Sequence, residues 1–301
     1  MTSKLLHQRH FLPVLSIDWL GLLKRLEGIE GEYGILAPIT CHNSLLQAIR
    51  ELGKPFFIDS GIFEKAVGTL PAMPVPWYCR MHCEFRDGRW VREVKLAREQ
   101  QLRQQIRNYL ERCDRFSPDY VFALDVYGEP LLSLHLARLS WEEYWNQPRT
   151  YTLIGVAQVG EPLYNWHELS VPQTDDFLPH YRSPKSFIAP LINAYRDIGY
   201  RYVALGGLLK LDRSMPTGLR FGLSPEELDN LLSWTRPEFV LGGLALSRLD
   251  VFKKHRVWAD STNWLWWDAR YDRARFGHRN ALQEVVTAAT TFSATTVIER
   301  N

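Results

Sequence analysis

Apolar residues along this chain gather into eight short runs bounded by turn-forming residues, at 11–17, 33–37, 55–59, 120–125, 152–158, 202–206, 238–242 and 257–260. Runs of this length and composition predict buried strands. Between them apolar positions recur at three and four, over 18–26, 44–52, 94–113 and 187–198, which predicts amphipathic helices. Ser224-Pro225-Glu226-Glu227 reads as a capping box with proline at the first helical position, opening a helix over 226–234. The tail, 278–296, has helical character and would close the ring. Strands alternating with helices over 301 residues predict an α/β protein, a (β/α)8 TIM barrel forming one domain over 1–301. A doubly wound open sheet is the alternative, since periodicity does not show closure. Insertions near 68–90 and 161–186 follow strand carboxyl ends, where barrel enzymes place substrate-binding loops.

Three of the runs stop on an acid: Phe56-Phe57-Ile58-Asp59-Ser60, Val121-Phe122-Ala123-Leu124-Asp125 and Val257-Trp258-Ala259-Asp260-Ser261. Burial accounts for the apolar residues but not for the acids. The carboxyl ends of barrel strands are where such folds keep their chemistry. One face would collect Asp59, Ser60, Asp125, Gln158, Gly206, Gly207 and Asp260.

Composition narrows the class. No apolar run is long enough to span a bilayer, and residues 1–10 carry no signal-peptide core, so an intracellular, cytoplasmic protein is expected. Four cysteines in a chain of this size do not make a disulfide framework. Net charge is only +2, yet basic residues concentrate at 95–115 and 253–279, the second stretch interleaved with Trp258, Trp264, Trp266, Trp267, Tyr271 and Phe276. Basic and aromatic residues together suit a surface that holds phosphates and unstacked bases; a solvated helix face with core tryptophans is the plain alternative.

Carboxylates crowded into one partly dry pocket push each other's pKa values apart, so that one stays ionised while another carries a proton. An ionised Asp can attack a sugar anomeric carbon and form an ester-like intermediate. An Asp beside a Gln amide and a backbone glycine suits the alternating donors and acceptors of a purine edge. Gly242-Gly243 after a strand reads as a tight turn, or else as a phosphate cradle.

In these strand ends the chain resembles the tRNA-guanine transglycosylases and their DNA-acting paralogues, over roughly 55–279. Asp59-Ser60-Gly61-Ile62-Phe63 is similar to the family's Asp-Ser-Gly-Gly-Phe/Tyr, and Gln158-Val159-Gly160 to its Gln-Gly-Gly. Ala204-Leu205-Gly206-Gly207-Leu208 resembles Ile-Gly-Gly-Leu, and Arg236-Pro237 through Leu241-Gly242 resembles Arg-Pro-Arg-Tyr-Leu-Met-Gly. Asp125 stands where the family reads the base, and Asp260 where it places its nucleophile. The resemblance implies that Asp260 attacks C1′ of a guanosine and Asp59 serves as general acid/base. It implies that Ser60, Asp125, Gln158, Gly206 and Gly207 bind the heterocycle and that Phe63 and Leu241 sandwich it. Ile62 and Val159 depart from the family's glycines.

The tRNA-directed enzymes carry a structural zinc held by cysteines beyond the nucleophile. This chain has no Cys after Cys113, so no cofactor is expected there; Cys79, His82 and Cys83, with Cys113 or His135, are the remaining metal candidates. A zinc-less chain without room for an appended RNA-binding domain resembles the paralogues that insert 7-cyano-7-deazaguanine (preQ0) into DNA. DNA is thus the expected partner ahead of tRNA, with Trp264, Arg270, Arg273 and Arg275 as candidate strand-holding residues. The resemblance leaves room for a homodimer and for helper proteins that open the duplex. The competing readings are the same exchange on tRNA, a non-catalytic nucleic-acid-binding partner subunit, and a hydrolase that releases the base to water.

Overall fold

The structure is a computed structural model that describes residues 11–60 except 19, 27 and 28; 79–126 except 87 and 88; 129–159; 184–211; 219–261; and 283, 286 and 287. In chain order its strands are β1 (Pro13–Ser16), β2 (Gly34–Pro38), β3 (Phe56–Asp59), β4 (Cys79–Arg86), β5 (Arg89–Leu96) and β6 (Tyr120–Phe122). They continue with β7 (Thr152–Gln158), β8 (Tyr202–Gly206), β9 (Leu209–Leu211), β10 (Leu219–Phe221), β11 (Phe239–Val240) and β12 (Trp258–Ser261). The helices are α1 (Asn43–Glu51), α2 (Glu99–Asp114), α3 (Pro130–Trp145), α4 (Pro184–Ile198), α5 (Pro225–Thr235) and α6 (Leu249–His255).

Eight of the strands form a closed, all-parallel barrel in the order β1-β12-β11-β8-β7-β6-β3-β2. The chain is therefore a (β/α)8 barrel, and the open-sheet alternative falls. Each of the eight apolar runs supplies one barrel strand. The seam is the β1–β12 pair, with Val14 opposite Asp260 and Leu15 opposite Ser261.

Strand side chains alternate between faces, and here one parity fills the barrel while the other meets the helices. Val14, Leu36, Phe57, Tyr120, Phe122, Ile154, Val156, Tyr202, Ala204 and Phe239 pack together inside, with Leu241 and Trp258 against them. Leu15, Ile35, Ile58, Val121, Leu153, Val203, Leu205, Val240 and Ala259 belong to the separate layer that includes the helices. The inner core is aromatic: Phe57 stacks on Tyr120 at 4.6 Å, and Trp258 meets Tyr120 edge-on at 5.2 Å. Offset and edge contacts of this kind add to simple burial.

The helix expectations need four corrections. Residues 18–26 give a 3-10 segment, Leu20–Leu26, rather than an α-helix. Val94 to Leu96 complete β5, and α2 starts only at Glu99, so the expected helix over 94–113 loses its first turn to a hairpin. The segment expected as an insertion near 68–90 contains most of that hairpin. Helices α3 and α6 were not expected. α3 packs against α2, α4 and β7, and buries Leu134, Leu136, Leu139 and Glu143 around more than one face, so it carries no clean apolar stripe. At the other end of the chain, Gln283, Val286 and Thr287 are helical. Gln283 accepts from the Glu30 amide at 3.2 Å and donates to its carbonyl at 2.8 Å, while Val286 is buried.

Two of the basic residues of 95–115 tie helices together. Arg103 reaches Glu99, Glu142 and Glu143 at 2.9, 2.6 and 3.3 Å, and Arg107 joins the buried Glu143 at 3.3 Å, tying α2 to α3. Lys254 and His255 of α6 likewise hold Asp229 of α5, at 2.7 and 2.6 Å. Among the described residues no helix is long and apolar enough to cross a membrane.

Gly34 shows how tightly the interior is filled: a Cβ there would lie 2.7 Å from Cε2 of Phe57, whose ring is fully buried and pinned on Tyr120. Gly34→Ala is expected to lower stability by about 1–3 kcal/mol through overpacking, read as a shift of the urea midpoint with an unchanged slope.

Candidate active site

The parity that sends Phe57 and Trp258 inward sends Asp59 and Asp260, two residues further along β3 and β12, to the barrel's carboxyl-end mouth. Ser16 of β1 and Gln158 of β7 share that parity. Ser60 is buried beside Asp59. Asp125 arrives differently. β6 ends at Phe122, and residues 123–126 continue as irregular chain whose course is fixed from both sides. Tyr109 of α2 donates to the Phe122 carbonyl at 2.8 Å. Ser133 of α3 accepts from the Val126 amide at 2.9 Å and donates to its carbonyl at 3.1 Å.

Asp260 is 6% exposed and both its oxygens are held. Ser16 Oγ donates to Oδ2 at 2.8 Å and the Gly242 amide donates to Oδ1 at 2.7 Å. Gly242 can present its N–H because it sits at φ 69°, left-handed backbone that favours glycine. Its neighbour Gly243 is closely packed, since a Cβ would lie 2.8 Å from Val240 Cγ1 and 2.9 Å from Phe221 Cε2. Gly242-Gly243 is thus a tight turn that serves Asp260. Burial pushes the Asp260 carboxyl up to about 6; the Gly242 and Ser16 hydrogen bonds pull the other way, and the Asp59 charge adds to the rise.

Gln158, 3% exposed, donates from Nε2 to Oδ2 of Asp125 in a short hydrogen bond. Gly206 lies opposite Gln158 in the β7–β8 register, and a Cβ there would stand 2.6 Å from Gln158 Nε2. The glycine is what lets the amide lie flat across β8. Gly207 follows at φ 74°, turning the chain out of the strand. Burial pushes Asp125 up to about 7; the Gln158 bond opposes the rise and the Asp59 charge reinforces it. The Asp59 charge thus acts on both other carboxyls.

Sequence reasoning brought Asp59, Ser60, Asp125, Gln158, Gly206, Gly207 and Asp260 to one end of the barrel, and the structure places all seven there, with Leu241, named only by the resemblance, following β11 at the same end. Leu241, whose amide donates to Leu205 at 2.9 Å, packs on the top of the inner core. Phe63, Trp264, Arg270, Arg273 and Arg275 lie outside the described residues. Ser16 went unrecognised. Its signal was a polar residue ending the first apolar run in the parity of Val14, but a lone Ser at a strand end is too common to single out. The side chains of Cys79, His82 and Cys83 lie outside the described residues, and Cys113 is buried in the core. Among the described residues no group of three or more His, Cys, Asp or Glu is placed to hold a metal. At the opposite end of the barrel, Leu12, Tyr33, Tyr120 and Trp258 line an apolar cleft of about 200 Å³ with Lys54 at its edge, away from the carboxylates.

No protein-family model matches the chain, and no curated protein matches it. What the site can do therefore rests on its own geometry: a buried carboxylate with both oxygens oriented, a second carboxyl hydrogen-bonded to a primary amide, and a third whose charge reaches both.

The raised pKa of Asp125 has a consequence for stability. Unfolded, the carboxyl ionises near its ordinary 3.8; folded, it ionises near 7, so unfolding releases a proton between these values. Asp125 therefore contributes a loss of stability to the wild-type chain as pH rises from 4 to 7. Asp125→Asn is expected to lack this loss, gaining on the wild type across that window and holding the advantage above it. Urea unfolding of both chains at pH 4, 6 and 8 measures it.

Proposed function

We propose that the chain is a guanine transglycosylase that exchanges guanine in DNA for a 7-deazaguanine such as preQ0. The observation that supports this best is the oriented, buried Asp260 facing the Asp125–Gln158 pair across one barrel mouth. An Oδ atom of Asp260 attacks C1′ of the target deoxyguanosine as the C1′–N9 bond breaks, and that bond's electron pair leaves on the base. Asp59, in its acid form, supplies the proton that makes the departing base neutral guanine. The glycosyl ester on Asp260 then meets the incoming base; Asp59 takes its N9 proton, N9 attacks C1′, and the Asp260 carboxylate is released. A pair of carboxyls in these complementary roles is the general pattern of retaining displacement at a sugar carbon.

Asp125 and Gln158 suit the edge of the heterocycle. A carboxylate accepts from the N1–H and exocyclic N–H of guanine, and a primary amide donates to O6. Both features are shared by guanine and 7-deazaguanine, so one pocket serves the leaving and the entering base. Leu241 would cover one face of the ring and Phe63 the other. Trp264, Arg270, Arg273 and Arg275, which follow Asp260 in sequence, are assigned to the opened strand, because a base must leave its stack to be exchanged. DNA is preferred over tRNA because the chain lacks the cysteines of the tRNA-directed enzymes.

The test is release of label from guanine-labelled plasmid DNA and, in parallel, guanine-labelled tRNA, with and without preQ0. Release from DNA that requires preQ0 is expected, with Asp260→Asn at least 10³-fold slower, on the order of the cost of losing a nucleophile. Release from tRNA alone would move the activity to RNA; release without preQ0 would make the protein a hydrolase.

The pH profile adds a second check. Asp260 attacks as the carboxylate, so kcat/KM should climb as pH rises through about 6. Removing the Ser16 hydrogen bond takes away a contact that favours the ionised form. Ser16→Ala is therefore expected to move this limb to higher pH while the rate at high pH falls less than it does for Asp260→Asn. An unmoved limb would mean that Ser16 does not tune Asp260.

A further inference from the structure

The cleft at the amino-terminal end of the barrel, about 200 Å³ in volume, lies on the far side of the molecule from the carboxylates. Its floor is the lowest layer of the barrel interior. Leu12, just ahead of β1, Tyr120 at the start of β6 and Trp258 at the start of β12 all pack with the inner core. Its wall comes from the turns that lead into β2 and β3, through Gly31, Tyr33, Lys54 and Pro55. Trp258 stacks with Tyr202 at 6.3 Å and meets Tyr120 edge-on at 5.2 Å, yet stays only half-buried. It takes part in the lining of the cleft.

Rings dominate this lining, so a flat apolar group fits it. An apolar cavity of about 150 Å³ takes up a benzene ring, and this one has room for a substituted ring. Charge sets the second requirement. Lys54 is the cation of the lining, half-buried at the edge of the cleft. Its ammonium donates to the Gly31 carbonyl at 2.9 Å and lies 4.5 Å from the centroid of the Tyr33 ring, which fixes its position. An ammonium has three donors, and one carbonyl engages one of them. Glu32 is the acid of the lining; it is exposed, so water and salt screen its repulsion of an anion. Asp119, beside Tyr120 in sequence, is engaged by the Phe56 amide at 2.9 Å and by Arg50 at 3.7 Å. A ring for the floor and a carboxylate for the edge satisfy both requirements. An aromatic cation would meet Lys54 at that same edge.

We propose that this cleft is a binding site for a small planar aromatic carboxylate, with the ring on Trp258 and Tyr120 and the carboxylate on Lys54. The site is separate from the barrel mouth and independent of the chemistry assigned there. The mouth, with its three acids, disfavours an anion, so an anionic probe reports on the opposite end.

The experiment follows 4-fluorobenzoate by fluorine NMR as it is titrated with the full chain near neutral pH, beside the neutral 4-fluorobenzamide and the cationic 4-fluorobenzylamine. The wild-type chain is expected to bind the acid with a Kd of about 1 mM or tighter, and the amide and amine about fivefold or more weakly, the scale of a partly exposed ion pair. Lys54→Met keeps the aliphatic stem and should lose about fivefold for the acid with little change for the amide. Lys54→Arg should retain most of the affinity, and Glu32→Gln should tighten it by about twofold by removing the opposing charge. These substitutions fall at half-buried and exposed positions, so the fold stays out of the comparison. Location is read separately, from chain labelled with 5-fluorotryptophan. Unfluorinated benzoate should move the Trp258 resonance, assigned by its loss in Trp258→Phe. Absence of binding at about tenfold above the expected Kd would overturn the proposal. So would equal affinity for acid and amine, wild-type affinity in Lys54→Met, or an unmoved Trp258 resonance.

Discussion

A closed parallel barrel has an inside that must be filled, and the two-residue period of its strands decides what fills it. In this chain that one constraint reaches from the floor of the barrel to its mouth. Val14, Phe57 and Trp258 occupy the interior because their strands point them there, and the next inward positions, Ser16, Asp59 and Asp260, have nowhere to go but the rim. A slip of one residue in any of these strands would exchange core for surface along its whole length. The aromatic packing beneath thus fixes the register that places the carboxylates above it.

Burial and hydrogen bonding then compete at the rim. Taking Asp260 out of water favours its neutral form, and the donors from Ser16 and Gly242 favour its charged form. Burial wins, but not by enough to silence the carboxylate near neutral pH. Asp125, which the Gln158 amide holds, stands higher still, with burial again the largest cause. Two carboxyls of the same kind are set apart by their surroundings, with Asp59 acting on each.

Much of this was legible in the sequence. The eight apolar runs were visible because a buried parallel strand is apolar on both faces, and their polar ends stood out against that background. The capping box at Ser224 was equally plain, and both of its reciprocal bonds are present. What escaped had physical causes. Helix α3 lies under neighbours on several sides, so its apolar residues follow burial rather than a single stripe. The β5 residues Val94 to Leu96 run directly into α2, and local pattern alone does not separate the last rung of a ribbon from a helix start. Ser16 acquires meaning only from the closure that brings it to Asp260, 244 residues later in the chain. The ion pairs of Arg103 and Arg107 were not legible because their partners on α3 are distant in sequence and adjacent in space.

That closure has a further side. The strand bearing Asp260 is the last to enter the barrel, and it pairs with the first. During synthesis every other wall of the ring is on hand before β12 emerges, yet Asp260 meets Ser16 only when the two ends of the sheet join. A nascent or truncated chain would hold a collection of strands and no oriented carboxylate. Asp260 thus gains its orientation only once the fold around it is whole, as the last product of assembly.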